Sequence, residues 1–259
     1  MAGVVARGQL FHGSMRRDGT YAGWPSGTTE LAFEQSLFGT FRVLGHGQLT
    51  AIVPFVETYR SVPGLSETGG GLGDVQLAAR YDFVEPGASP KWPGIALTWS
   101  LTLPTGVAPE AAKSPLATGA TGTGAVIAGG QLALERGFGD FFVQATTGAE
   151  WRSPRVVAGL HTQRGPALTA SAAAGYSFES GLVTALALAY RAELDARLQG
   201  NAVPGSGREL TRVSLSAGYS FSFDWRIQAA ATADLPAAPF SRNEQVGTSV
   251  SFTLLRSAW

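Results

Sequence analysis

Along much of the chain, apolar and polar side chains take turns. Ile95, Leu97, Trp99, Leu101 and Leu103 alternate with Ala96, Thr98, Ser100 and Thr102. Leu31, Phe33, Leu37 and Phe41 alternate with Glu30, Glu34, Ser36 and Arg42, and Val213, Leu215, Ala217, Tyr219, Phe221 and Phe223 alternate with serines and Gly218. A period of two puts successive side chains on opposite faces of a strand; a helix would repeat about every 3.6 residues. Helical periodicity is almost absent, and "PEAAKSPLA" is expected to make at most one turn inside a loop. Segments of this kind predict about twelve strands of roughly ten residues, the length that crosses a bilayer when tilted.

The connections alternate in length. "LGHG", "RGFGD", "FESG" and "FDW" are short, and the mid-length "EPGASPKWPG" falls where another short turn is due. "RDGTYAGWPSG", "RSVPGLSETGGG", "PTGVAPEAAKSPLATGATG", "RSPRVVAGLHTQRG", "DARLQGNAVPGSG" and "PAAPFSRNE" are long. Short turns at one end and long loops at the other are the habit of outer-membrane barrels. An even number of strands would leave both termini at the short-turn end. The prediction is an all-β fold, a single domain over residues 1–259. It is a transmembrane antiparallel up-and-down barrel of about twelve strands, with short periplasmic turns and long extracellular loops. Half a chain in strand is unusual for a soluble domain, but closure satisfies every strand edge.

The polar faces carry mostly Ser, Thr, Gly, Ala and Gln, whereas a soluble sandwich would crowd its water-facing side with long charged residues. Aromatics such as Phe41, Phe83, Phe141, Tyr176, Phe178, Tyr219 and Trp225 gather near the short turns, as an interfacial girdle requires. Charged residues are only 15% of the chain, with Lys plus Arg equal to Asp plus Glu at 19 each. No global field therefore draws in nucleic acid. The absence of Cys excludes a disulfide framework, a zinc-thiolate site and a cysteine nucleophile. No apolar run reaches the ~18–20 residues of a spanning helix, and no signal peptide is visible at "MAGVVARGQLF". Either the protein stays inside the cell, or it is an outer-membrane chain whose leader is removed or absent.

"GGGLGDVQLAARYDF", "LTWSLTLPTG" and "GTGAVIAGGQLALERGFGDFFVQATTGAEW" resemble segments of the MetA-pathway phenol-degradation family of bacterial outer-membrane barrels, FadL-like in character. The resemblance covers the chain from about Phe33 onward. It implies an outer-membrane location and passage of small, often hydrophobic molecules. Three departures stand out: no N-terminal hatch segment precedes the first strand, no signal peptide is seen, and Trp259 is out of phase with Phe252 and Leu254.

Gly69-Gly70-Gly71-Leu72-Gly73 invites a phosphate-loop reading, but the alternation that follows is a strand, not the helix whose N-terminus would hold the phosphate. These glycines are expected to let a long extracellular loop turn back into a strand. Some twelve-stranded barrels are phospholipases, with a Ser two residues after a His. His12-Gly13-Ser14 supplies half of that pattern without its third member. No enzyme activity and no cofactor are expected, and His12, His46 and His161 lack metal-ligand spacing.

The residues that carry function are expected to line the lumen. By parity they include Glu30, Glu34, Arg42, Gln76, Arg80, Asp82, Gln144, Arg191, Arg212, Arg226 and Gln228. Interior charges of both signs either form a polar conduit or pair across the bore and close it. The expected function is a narrow passive channel for small solutes, with outer-membrane lipid around it and no nucleic-acid partner. The alternatives are a docking barrel with a closed lumen, an outer-membrane lipid hydrolase and a soluble β protein. The loops around Thr105–Gly124 and Arg152–Gly165 are candidate gates by length alone.

Overall fold

The structure, a computed structural model, describes residues 1–89, 91–236 and 240–257; Trp259 lies outside the described residues. In chain order the strands are β1 (Ala2–Met15), β2 (Tyr21–Gly23), β3 (Thr29–Val43), β4 (Gly47–Val62), β5 (Leu65–Leu72) and β6 (Val75–Val84). They continue with β7 (Gly94–Leu103), β8 (Ile127–Phe138), β9 (Phe141–Arg152), β10 (Arg155–Val157), β11 (Leu160–Gln163) and β12 (Ala167–Ser177). The last are β13 (Leu182–Glu193), β14 (Arg197–Leu198), β15 (Asn201–Ala202), β16 (Arg208–Ser220), β17 (Trp225–Leu235) and β18 (Gln245–Arg256).

Twelve of these strands form the expected barrel. Each of β1, β3, β4, β6, β7, β8, β9, β12, β13, β16, β17 and β18 pairs antiparallel with its neighbours, and β18 pairs back onto β1 from Ala2↔Arg256 to Ser14↔Gln245. Closure leaves no free edge in the wall. The tight turn at Leu44-Gly45 has both residues at positive φ (51° and 70°), the primed geometry that suits the strand twist.

Burial along the strands is inverted relative to a soluble protein. The outward side chains are apolar and exposed: Leu37 is 62% exposed, Leu186 57% and Leu215 61%. The buried set instead includes Arg152, Glu193, Asp82 and Asp234, and the buried apolar residues are mostly alanines. Burying a Leu or Phe is worth roughly 1.5–3 kcal/mol, which water around this surface would forfeit and hydrocarbon would supply. Inversion excludes the soluble sandwich. At the short-turn end, rings pack edge to face outside the wall: Tyr81 on Phe83 at 5.0 Å, Phe141 on Tyr176 at 4.8 Å, Tyr176 on Phe178 at 4.7 Å.

Four of the expected long loops are partly strands; "RDGTYAGWPSG" holds β2, which pairs with β1 from Gly13↔Gly23 to Met15↔Tyr21. "RSVPGLSETGGG" is a hairpin: β4 turns at Pro63-Gly64, and β5 pairs back from Val62↔Leu65 to Phe55↔Leu72. It escaped the alternation test because the inward positions of β5 include Gly69 and Gly71, which contrast little with the outward ones. The hairpin β10–β11 lies within 153–166 and β14–β15 within 194–207, and together they form a four-stranded sheet in the order β10-β11-β14-β15. Their turns, Ala158-Gly159 and Gln199-Gly200, have both residues at positive φ. The helical turn expected in "PEAAKSPLA" is a 3-10 turn at Pro109–Ala111.

Candidate channel lumen and its inner loop

β5 and β6 form one stave beside β4, broken by a bulge. Between Ile52↔Gln76 and Phe55↔Leu72, β4 has Val53 and Pro54 while the opposite side has Gly73, Asp74 and Val75. Pro54 brings no N–H to the break, and its carbonyl accepts the Gly73 N–H at 2.8 Å. The extra residue puts Asp74 at 7% exposure. Its Oδ1 accepts the Gly106 N–H (3.0 Å), and its Oδ2 accepts both the N–H (2.6 Å) and the hydroxyl (2.8 Å) of Thr123. One carboxylate thus clamps both ends of the connection 104–126.

That connection lies on the inner face of the β4–β5 hairpin. Gly69 sits opposite Thr58, which is buried, while the neighbouring Tyr59 and Glu57 are exposed on the outer side. A Cβ on Gly69 would point at the Thr118 carbonyl carbon (2.7 Å) and the Gly119 nitrogen (2.8 Å). Such contact with backbone is closer than a real Cβ allows, so the inner loop needs glycine beneath it. Glu67 Oε2 accepts the Leu116 N–H at 2.9 Å, and Arg60 Nη1 donates to the Leu116 carbonyl at 2.7 Å. At its other side, Arg155 Nη1 donates to the Thr123 carbonyl (2.6 Å) and to Glu110 (3.0 Å). The glycines expected to turn an extracellular loop are therefore a strand platform for a loop folded into the barrel mouth.

The pleat sets Glu30, Glu34, Gln76, Arg80, Asp82, Gln144, Arg191, Arg212, Arg226 and Gln228 on the face opposite the exposed apolar residues. Arg42 shares that parity but sits at the short-turn rim, donating to the Gly45 carbonyl (2.6 Å) and to Glu85 (2.9 Å). Several pairing partners were not singled out from sequence: Arg60, Glu150, Arg152, Glu193 and Asp234. The same parity would have found them.

The ion pairs of this inner face run around the wall and not across it. Arg60 meets Glu30 at 2.9 Å and Arg212 meets Asp234 at 2.7 Å, each directly opposite in register on adjacent strands. Arg80 and Asp82 pair within β6 at 2.7 Å. Arg191 reaches Glu150 at 2.7 Å and Arg152 pairs with Glu193, both across β12, where Ala167 is too small to intervene. Part of the inner face is small, at Ala173, Ala185, Ala187, Ser214, Ser216, Ala230 and Ser251, while Arg7, Phe38 and Phe142 share the inward parity. On β6, β7 and β8 the inward Gln76, Ser100 and Gln131 are exposed, as are their outward neighbours Leu77, Trp99 and Leu132. A wall exposed on both faces borders open space within the barrel.

His12 falls on a bulge of β1. Its Nδ1 lies 2.9 Å from the Tyr21 hydroxyl, which donates to the His12 carbonyl at 2.9 Å. No hydrogen bond joins it to Ser14 among the described residues.

Residues 22–252 match the family described as "Putative MetA-pathway of phenol degradation". The chain belongs to this family. Among solved structures, this family member is similar to the COG4313 outer membrane channel from Pseudomonas putida F1. The two are 17% identical, with 98% of this chain and 94% of that one covered and a TM-score of 0.80. It is also similar to the NanC porin (10% identity, 98% and 100% covered, TM-score 0.57) and to the KdgM porin (11%, 100% and 100%, 0.52). At these identities the likeness is one of fold, that of a closed outer-membrane barrel. No curated protein matches the sequence.

Proposed function

We propose that this barrel is a narrow passive channel of the bacterial outer membrane for small, often hydrophobic molecules, with its long-loop end outside the cell. The observation that carries the reading is the open inner face at Gln76, Ser100 and Gln131, beside ion pairs that run along the wall. Glu30, Glu34, Gln76, Arg80, Asp82, Gln144, Arg191, Arg212, Arg226 and Gln228 line the conduit, with Arg42 at its periplasmic rim. Their mixed charges and the inner loop keep the bore polar and narrow. Membership of the phenol-degradation family and the channels and porins among the similar folds support the same class. The test is conductance of the refolded protein in a planar bilayer, paired with phenol entry into liposomes. Discrete steps and accelerated entry are expected. Electrical silence and unchanged entry from a verified barrel would overturn the channel in favour of a docking barrel.

A further inference from the structure

The four-stranded sheet over the long-loop end holds a pocket of about 290 Å³, at the small end for a ligand site. Arg155, Arg164 and Arg197 line it together with the apolar Val157, Leu198 and Val203. Register brings them together: Thr162 pairs with Arg155 on one side and Leu198 on the other, and Gln163 pairs with Arg197. The frame is held by backbone and side-chain bonds. Thr162 Oγ1 donates to the Arg155 carbonyl (3.3 Å), Gln163 Nε2 donates to the Arg152 carbonyl (2.8 Å), and the Gln199 N–H donates to the His161 carbonyl (2.7 Å).

The guanidiniums of Arg164 and Arg197 make no hydrogen bond or ion pair among the described residues. The carboxylates acting on Arg164, Glu193 and Glu244, are already paired with Arg152 and Arg208. Arg155 is held to Glu110 and to the inner loop, which fixes one cation at the pocket wall. The surrounding field has the same sign. The two connections that frame the pocket, 153–166 and 194–207, contain three Arg and one Asp, whereas the six long connections together are nearly balanced, with seven Lys or Arg and six Asp or Glu. This local excess of positive charge concentrates anions at the pocket.

We infer that this pocket captures the carboxylate of a small amphipathic acid, such as an aromatic acid, at the channel entrance. Arg164 and Arg197 bind the carboxylate in the forked geometry that guanidinium favours. Val157, Leu198 and Val203 cover the apolar body. The pocket neighbours the Arg152–Glu193 pair of the inner face, so an acid held there stands at the bore and not in the lipid. The inference rests on the channel reading for its purpose, but binding is measured separately from conduction.

The test is calorimetric titration of the refolded full chain in a non-ionic detergent with benzoate, benzyl alcohol and inorganic phosphate. Wild type is compared with the double variant Arg164→Gln/Arg197→Gln. Both arginines are exposed and unpartnered, so the barrel is expected to fold unchanged. Saturable benzoate binding is expected, at least tenfold tighter than benzyl alcohol or phosphate, and weakened at least tenfold in the variant. Unsaturable benzoate binding, phosphate binding as tight as benzoate, or a variant like wild type would each overturn the inference. Bilayer steps from the same preparation judge the channel independently: steps retained without benzoate binding would sink the pocket and leave the conduit.

Discussion

Asp74 shows how much one buried carboxylate organises. It satisfies donors at both ends of a long loop, and the bulge supplies its place in the wall. Asp74→Ala would leave two loop N–H groups unpaired, at a cost of about 1–3 kcal/mol each if they stay buried. We expect larger and noisier bilayer currents with the barrel intact by circular dichroism. The Arg152–Glu193 pair tests the interior differently. Arg152→Met alone strands a buried carboxylate and is expected to cost about 3–5 kcal/mol in urea unfolding, whereas the double change Arg152→Met/Glu193→Leu should cost much less. Asp195 lies in a connection outside the spanning strands, where the Gly207 N–H and then the Gly205 N–H hold its carboxyl below the ordinary value. A depressed folded value means that this contribution is full at neutral pH and fades as pH falls through it. Faster amide exchange at Gly207 only in strong acid is the expected sign. The inner-face parity of the charged residues was legible in sequence. Which of them pair was not, because pairing depends on register and on the smallness of Ala167, which alternation does not encode.

At the scale of elements, the strands with Leu, Phe and Trp on one face and Ser or Thr on the other were legible because lipid demands that contrast. β5 was not, since Gly69, Gly70 and Gly71 leave its second half without contrast and its inner partner is a loop. The platform makes a sharp prediction. Gly69→Ala meets loop backbone, which has no flexible side chain to yield. The inner loop is therefore expected to shift, raising conductance, with little change in urea midpoint. Gly130, whose outward Cβ position is open, is the matched control: Gly130→Ala should alter neither.

For the molecule as a whole, the alternation of short and long connections and the even strand count were sufficient for the closed barrel. The inversion of burial then fixes its solvent. Leu188 lies midway along β13 and is 51% exposed on the outside. Leu188→Arg should destabilise the barrel in lipid vesicles by about 2–4 kcal/mol, measured by urea-dependent folding.

The circumferential ion pairs behave like hoops on staves. Hoops tighten the cask without obstructing what is poured through it. Added salt weakens the more exposed hoops, such as Arg191–Glu150, by screening, yet it removes nothing from the axis. Ionic strength should therefore separate two properties that a cross-braced lumen would tie together: the strength of the wall and the width of the passage.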